Sequence, residues 1–148
     1  MKICLVCSAG GHLTEMRQLE TAYKKYRHFF IVPERSDTIE LSKKESVFFV
    51  PDVSKNPAVF VKNFILSKKI LSKEKPHVLI STGAGAAMPA LFAGKALGIK
   101  IIFIESLART KDLSVSGKFA YKLADLFLVQ WPELAKKYPK SKFWEAVI

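Results

Sequence analysis

The chain is poor in the residues that most often carry metal and redox chemistry. Its 148 residues include two cysteines and three histidines. Cys4 and Cys7 form a C-x-x-C, but no second cysteine pair follows to complete a zinc site. Redox pairs of this kind usually open a helix. Here both fall inside an apolar strand-like run, where a spacing of three sends side chains to opposite faces. They read as core cysteines. No carboxylate pair with ligand spacing appears, so neither a metal nor another cofactor is expected. No apolar run reaches the ~18–20 residues needed to span a bilayer. The amino terminus feeds a glycine turn with no cleavage-site pattern behind it, so a cytoplasmic protein is expected. The first glycine turn is not G-x-G-x-x-G, and no G-x-x-x-x-G-K-S/T exists. Dinucleotide binding and P-loop NTPase activity therefore lack support.

Acidic residues are also scarce. Thirteen Asp and Glu face 24 Lys and Arg, a formal charge of +11 with a pI near 9.7. Such a balance favours an anionic partner: nucleic acid, an anionic membrane surface or a phosphorylated substrate. A lysine-rich surface kept for solubility is the plainer alternative. Nucleic acid ranks low, because the aromatics lie mostly in strands and are not interleaved with the basic residues.

What the chain does have is a regular alternation of apolar strands and helix-forming stretches. Strands are expected at 2–7, 28–32, 47–50, 77–81, 100–104 and 126–129, with a further one at 142–147. Helices are expected at 12–26, from 37 to about 43, at 57–73 with Pro57 at its first position, at 85–97 ending on Gly98, at 116–124, and briefly from Pro132. Near-continuous apolar strands alternating with helices mark a parallel sheet covered on both faces. The length allows one α/β domain, residues 1–148, of Rossmann-like type. No repeat or linker interrupts it.

Two glycine turns follow strands. Ser8-Ala9-Gly10-Gly11-His12 closes the first strand, and Ser81-Thr82-Gly83-Ala84-Gly85 closes the fourth. Gly10 and Gly11 can take positive φ and let a ligand approach the backbone. Turns of this kind at the carboxyl edge of a parallel sheet present backbone N–H groups to anions, above all phosphates. His12 stands at a helix start, as a general base, a phosphate ligand or simply a turn cap. Ser81, Thr82, Gly83 and Gly85 either hold a second phosphate or sugar, or form a tight turn that lets small residues pack closely. Glu105 ends the fifth strand, where a buried carboxylate must be paired or functional. Arg109, four residues on, is placed to pair with it or to clamp a phosphate. Gln130 and Trp131 follow the sixth strand, as a ligand or partner contact or as core. The segment 57–75 sets Phe60 and Phe64 beside Lys62, Lys68 and Lys69. It is either a helix lying at a membrane surface or an ordinary amphipathic helix packed on the sheet.

CSAGGHLTEM, STGAGAAMPA, IESLARTKDLSVSGK and VQWPEL stand in the order found in the asparagine-linked glycosylation protein 14 family. The chain resembles that family, and the bacterial PssD/CpsF-type polysaccharide biosynthesis proteins, over about residues 1 to 140. The resemblance implies the N-terminal, acceptor-side half of a GT-B glycosyltransferase, inactive without a separate small subunit that binds the nucleotide sugar. Together they would move a sugar from a UDP-sugar to a polyprenyl-diphosphate-linked saccharide at the inner, cytoplasmic face of a membrane. Gly10, Gly11, Ser81, Thr82, Gly83, Gly85 and Arg109 would then hold the acceptor diphosphate. His12 would be the candidate base, and Glu105 a second catalytic candidate or a group that orders the cleft loop. Eukaryotic relatives carry an N-terminal anchor, whereas this sequence starts at its first strand. Membrane contact is therefore expected from its surface, through Phe60, Phe64, Lys68 and Lys69. The tail KFWEAVI departs from the family's glycine-containing ending. A purely non-catalytic scaffold that recruits the catalytic subunit is the alternative.

Overall fold

A computed structural model describes residues 1–53 and 55–144. Among these residues seven strands form one sheet: β1 (Lys2–Cys7), β2 (Arg27–Pro33), β3 (Val47–Val50), β4 (Val78–Gly83), β5 (Lys100–Ile104), β6 (Leu126–Leu128) and β7 (Ser141–Lys142). Their order is β3-β2-β1-β4-β5-β6-β7, and every pairing is parallel. The chain starts in the middle, winds outward to β3, then crosses back to β4. That reversal leaves a crevice at the carboxyl ends of β1 and β4, where open α/β sheets bind ligands.

Among the described residues seven α-helices cover the sheet: α1 (Gly11–Gln18), α2 (Glu20–Tyr23), α3 (Ser36–Ser42), α4 (Pro57–Glu74), α5 (Met88–Ala96), α6 (Val115–Leu123) and α7 (Pro132–Lys137). Strand alternation feeds two cores. Cys4, Val6, Phe29, Ile31, Leu79, Phe103 and Phe127 pack on one face with residues of α4, α5 and α6. Ile3, Leu5, Cys7, Phe30 and Val32 pack on the other with Leu13 and Met16 of α1. The two cysteines thus sit on opposite faces, free and buried. Burial raises both thiols well above their ordinary range, Cys7 to about 12, so they stay protonated and inert.

Several boundaries differ from the sequence expectation. The helix expected over 12–26 is two pieces, because i→i+3 bonds from Leu19 N to Met16 O (3.0 Å) and from Ala22 N to Leu19 O (2.8 Å) tighten the chain at Leu19. Leu19 and Tyr23 remain buried across the break. Strand β4 runs on past Ser81 through Thr82 and Gly83, because a register shift between Val6 and Cys7 lets Cys7 pair with Gly83. The helix expected from 85 opens as a 3-10 turn, Gly85–Ala87, before α5. The last strand, expected over 142–147, is the two-residue Ser141–Lys142 and does not continue through Phe143 and Trp144; residues 145–147 lie outside the described residues.

Candidate functional site

The site is built where β1 and β4 end. After Cys7 the chain turns at Gly10, whose φ of 79° and ψ of −133° suit only glycine, and enters α1 without a side-chain cap. The two turns are stitched together. Ser8 N donates to Gly83 O (2.8 Å), and Ala84 N donates to Ser8 Oγ (3.2 Å). Asp37, from the first turn of α3, accepts a hydrogen bond from Gly10 N at 2.7 Å. The Gly10 N–H is therefore engaged by a carboxylate of the chain itself rather than open to a diphosphate.

His12 projects from the start of α1 onto β4. Its Nδ1 lies 2.8 Å from the Thr82 carbonyl oxygen, and the Thr82 hydroxyl donates back to His12 O at 2.7 Å. A carbonyl only accepts, so Nδ1 carries the ring proton and the neutral ring's lone pair falls on Nε2. The imidazole lies against Gly83, where a Cβ would stand 3.5 Å from His12 Cε1. This geometry assigns Ser81, Thr82 and Gly83 a different part from the one expected of them. Ser81 and Thr82 are fully buried, and the Ser81 hydroxyl accepts from Gly83 N at 3.1 Å. They seat the histidine from beneath and do not line the crevice. The cause is the position of Ser81 in β4 and the strand's extension through Thr82 and Gly83, which keeps all three in the sheet.

The loop from β5 to α6 closes the other side. Glu105 is 1% exposed, and its carboxylate is filled by neighbours. Ser106 N donates to Oε1 (3.0 Å), Ser114 N donates to Oε2 (3.0 Å), and the Ser114 hydroxyl reaches both oxygens at 3.0 Å. Ser114 in turn caps α6 by accepting from Gly117 N at 2.9 Å. Among the described residues no ion pair joins Glu105 to Arg109, because the carboxylate points into this cap while Arg109 lies on the cavity wall. Glu105 is thus the tie that fixes the loop and not an acid facing the crevice. Further along, the Tyr138 hydroxyl donates to Asp112, and this bond holds the Asp112 carboxyl well below its usual range, helped by Leu113 N and Lys118.

One residue escaped the sequence reading altogether. Glu15, one turn after His12, accepts from the Ser106 hydroxyl (2.8 Å) and from Leu107 N (3.1 Å) with Oε1. In sequence it reads as an ordinary polar helix position; only the fold brings it to a loop 91 residues away.

Between these elements lies a cavity of about 930 Å³. His12, Gly85, Ser106 and Arg109 supply its polar lining, and Phe60, Met88, Phe92, Val115 and Phe119 its apolar one. The cavity therefore sets one base-capable ring, a guanidinium and a 3-10 turn beside a hydrocarbon-compatible wall. Of the expected diphosphate set, Gly85 and Arg109 reach it. Gln130 is buried and does not line the cavity. Trp131 is 37% exposed and donates from Nε1 to Leu107 O (2.8 Å), packing over the same loop.

Helix α4 is oriented otherwise than expected. Asn63, Ser67, Ile70 and Leu71 make its inward stripe, with Asn63 Nδ2 donating to Pro51 O at 2.8 Å. Phe60 meets Phe92 edge to face, and both Phe60 and Phe64 pack against the core. They are turned inward by helical periodicity. The apolar residues that α4 shows to solvent are Val61 and Ile65, at 53% and 62% exposure, beside exposed Lys62, Lys68 and Lys69. No described helix is long and apolar enough to cross a membrane.

A parallel sheet of this order, with paired glycine turns and a ligand-sized crevice at its carboxyl edge, defines a Rossmann-like α/β domain. Solved structures share that fold. Acinetobacter baumannii MurG superposes with a TM-score of 0.76 at 13% identity, over 90% of this chain and 43% of its own. The UDP-N-acetylglucosamine 2-epimerase of Rickettsia bellii gives 0.78 at 16% identity, over 99% and 45%. The chain thus spans under half the length of these structures. Residues 52–147 match the family "Oligosaccharide biosynthesis protein Alg14 like". The human UDP-N-acetylglucosamine transferase subunit ALG14 is 31% identical, over all of this chain and 83% of the human protein. Its counterpart in Schizosaccharomyces pombe is also 31% identical, over 91% of this chain and 78% of the relative. The chain belongs to the Alg14 family.

Proposed function

We propose that this chain is the acceptor-side subunit of a two-component glycosyltransferase that uses a UDP-sugar. It binds a polyprenyl-diphosphate-linked saccharide and brings a small nucleotide-sugar-binding catalytic partner to the inner face of the membrane. One observation carries the reading. His12, with its Nε2 lone pair available, shares a cavity with Arg109, Gly85 and an apolar wall. A guanidinium recognises phosphate oxygens through paired N–H donors, and the apolar side chains suit a lipid-linked molecule. In the reaction, His12 Nε2 takes the proton of the acceptor hydroxyl. The oxygen's electron pair forms a bond to the anomeric carbon of the UDP-sugar. The bond from that carbon to the diphosphate oxygen breaks, and UDP leaves with the electron pair and inversion at the carbon. The sequence lacks a nucleotide fingerprint, so the donor belongs to the partner.

Purified alone, the chain should show negligible transfer from a UDP-sugar to a polyprenyl-diphosphate saccharide. Adding the nucleotide-sugar-binding subunit should restore turnover. Robust transfer by the chain alone would sink the two-component reading.

Membrane contact is assigned to the outer face of α4, where Val61 and Ile65 stand among lysines. Each lysine near an anionic surface contributes roughly 1 kcal/mol, falling with salt. Vesicles rich in anionic lipid should therefore retain the chain at low salt and release it at high salt. The pair Lys68→Glu and Lys69→Glu should weaken flotation by at least about tenfold, since it reverses two charges. Flotation indifferent to both salt and this pair would refute the assignment.

A further inference from the structure

The mechanism above leaves one carboxylate oxygen unexplained. Glu15 Oε1 is occupied by Ser106 and Leu107, but Oε2 is buried with no hydrogen-bond donor. It lies 3.6 Å from His12 Nδ1, and the Glu15 side chain is only 15% exposed. A desolvated carboxylate oxygen left without a donor is costly unless something nearby repays it. Here the nearby group is the ring nitrogen that carries the histidine's proton.

We propose that Glu15 is the positioning carboxylate of His12: with the Thr82 carbonyl, it holds the ring proton on Nδ1 and stabilises the imidazolium formed when Nε2 accepts a proton. The physical grounds are simple. Thr82 O and Glu15 Oε2 are both acceptors, and both lie on the Nδ1 side of the ring. A lone pair on Nδ1 would face two negative partners, so the Nε2–H tautomer is disfavoured. When Nε2 takes the acceptor's proton, the positive charge appears beside Oε2, where little water screens it. Other charged groups around the ring are differently engaged. Asp37 is bonded to Gly10 N, Glu105 to Ser114 and Ser106, and Cys7 is a neutral thiol beside Thr82. Arg109 lines the cavity itself. Because Oε1 binds Ser106 and Leu107, the same residue also ties the β5–α6 loop to the base.

This inference rests on His12 being the base, and the test separates the two. The first readout needs no turnover. Imidazole nitrogen NMR of the chain alone should show His12 as the Nδ1–H tautomer. Glu15→Gln keeps an acceptor for Ser106 and Leu107 but removes the charge; Thr82 O still holds the proton on Nδ1, and the Nδ1–H proton resonance should move upfield as the N–H loses its charged neighbour. Glu15→Asp, which keeps the charge, should keep the Nδ1–H resonance near its wild-type position and also covers the case in which the glutamine variant fails to fold. A ring spectrum unchanged by Glu15→Gln overturns the proposal, whatever His12 does in catalysis. The second readout is kinetic. In the reconstituted complex, Glu15→Gln should lower kcat about tenfold or more with acceptor KM within about threefold, and should add nothing to His12→Ala. Full multiplication of the two losses would mean Glu15 acts through the loop alone, and overturns its role on His12. If His12→Ala leaves kcat unchanged, the base reading falls, and the NMR result still decides what Glu15 does to the ring.

Discussion

Gly117→Ala should destabilise the chain by roughly 2–4 kcal/mol, a fall in Tm on the order of 10 °C. In most helices this change is favourable by about 0.5–1 kcal/mol, because alanine has less freedom to lose on folding. Here the neighbours reverse the sign. A Cβ on Gly117 would overlap Glu105 Oε2 and stand 2.9 Å from Ser114 Oγ and 3.0 Å from the Glu105 carboxyl carbon. Ser114 cannot yield without losing the cap on α6. Glu105 cannot yield without leaving a buried carboxylate short of its donors, at about 1–3 kcal/mol for each bond broken to a charged group. Overpacking and lost bonds together outweigh the propensity gain severalfold. Thermal melts followed by circular dichroism decide it. A Tm within about 2 °C of the wild type would show that the cap has slack that the geometry denies. In a Glu105→Ala background the cost of Gly117→Ala should fall by more than half, since the nearest obstructing group is gone and only Ser114 Oγ remains close.

The parallel α/β architecture was legible because its signal is physical and repeated. Runs such as KICLVC and KIIFI are apolar on both faces, as strands covered by helices on both sides must be. The cysteine reading also held, since a spacing of three on a strand does put Cys4 and Cys7 in different cores. Errors arose where tertiary pairing overrides local pattern. Thr82 and Gly83 look like turn residues, yet the register shift opposite Cys7 draws them into β4. Phe60 and Phe64 look like a membrane-facing pair because both are large and near lysines. The inward stripe is instead set by Asn63 and Ser67, two polar residues whose hydrogen bonds to Pro51 and to each other only the fold reveals.

The candidate site was half legible for a related reason. His12 announces itself through its place after two glycines at a strand end. Glu105 announces itself as a carboxylate closing an apolar strand, but its satisfaction depends on Ser114 and Gly117, nine and twelve residues on, across an irregular loop. Glu15 gives no signal at all, because a glutamate in a helix is ordinary until a distant loop supplies Ser106 and Leu107. Residues that bind through local geometry can be read from spacing; residues that act through long-range contact cannot.

His12→Ala should lower kcat of the assembled complex by about 10²–10⁴-fold, the range for a positioned general base. The structure sharpens why the loss should fall on kcat. Thr82 O fixes the proton on Nδ1, so Nε2 is the nitrogen able to accept the acceptor hydroxyl's proton. Removing the ring leaves Gly85, Arg109 and the apolar wall in place, and on the proposed reading these carry most of the ground-state binding. Acceptor KM should therefore stay within a few-fold. Stability should change little, because the side chain is 30% exposed and one hydrogen bond contributes about 0.5–1.5 kcal/mol. Thermal melts and partner pull-down establish that the variant is folded and assembled. Steady-state kinetics across acceptor concentrations then separate the roles. A ring that only binds diphosphate would raise KM with kcat intact. A ring that only caps the turn would lower Tm and leave both constants near wild type. A kcat within a few-fold of wild type, in a folded and assembled complex, removes His12 from proton transfer and leaves the chain as the scaffold on which its partner works.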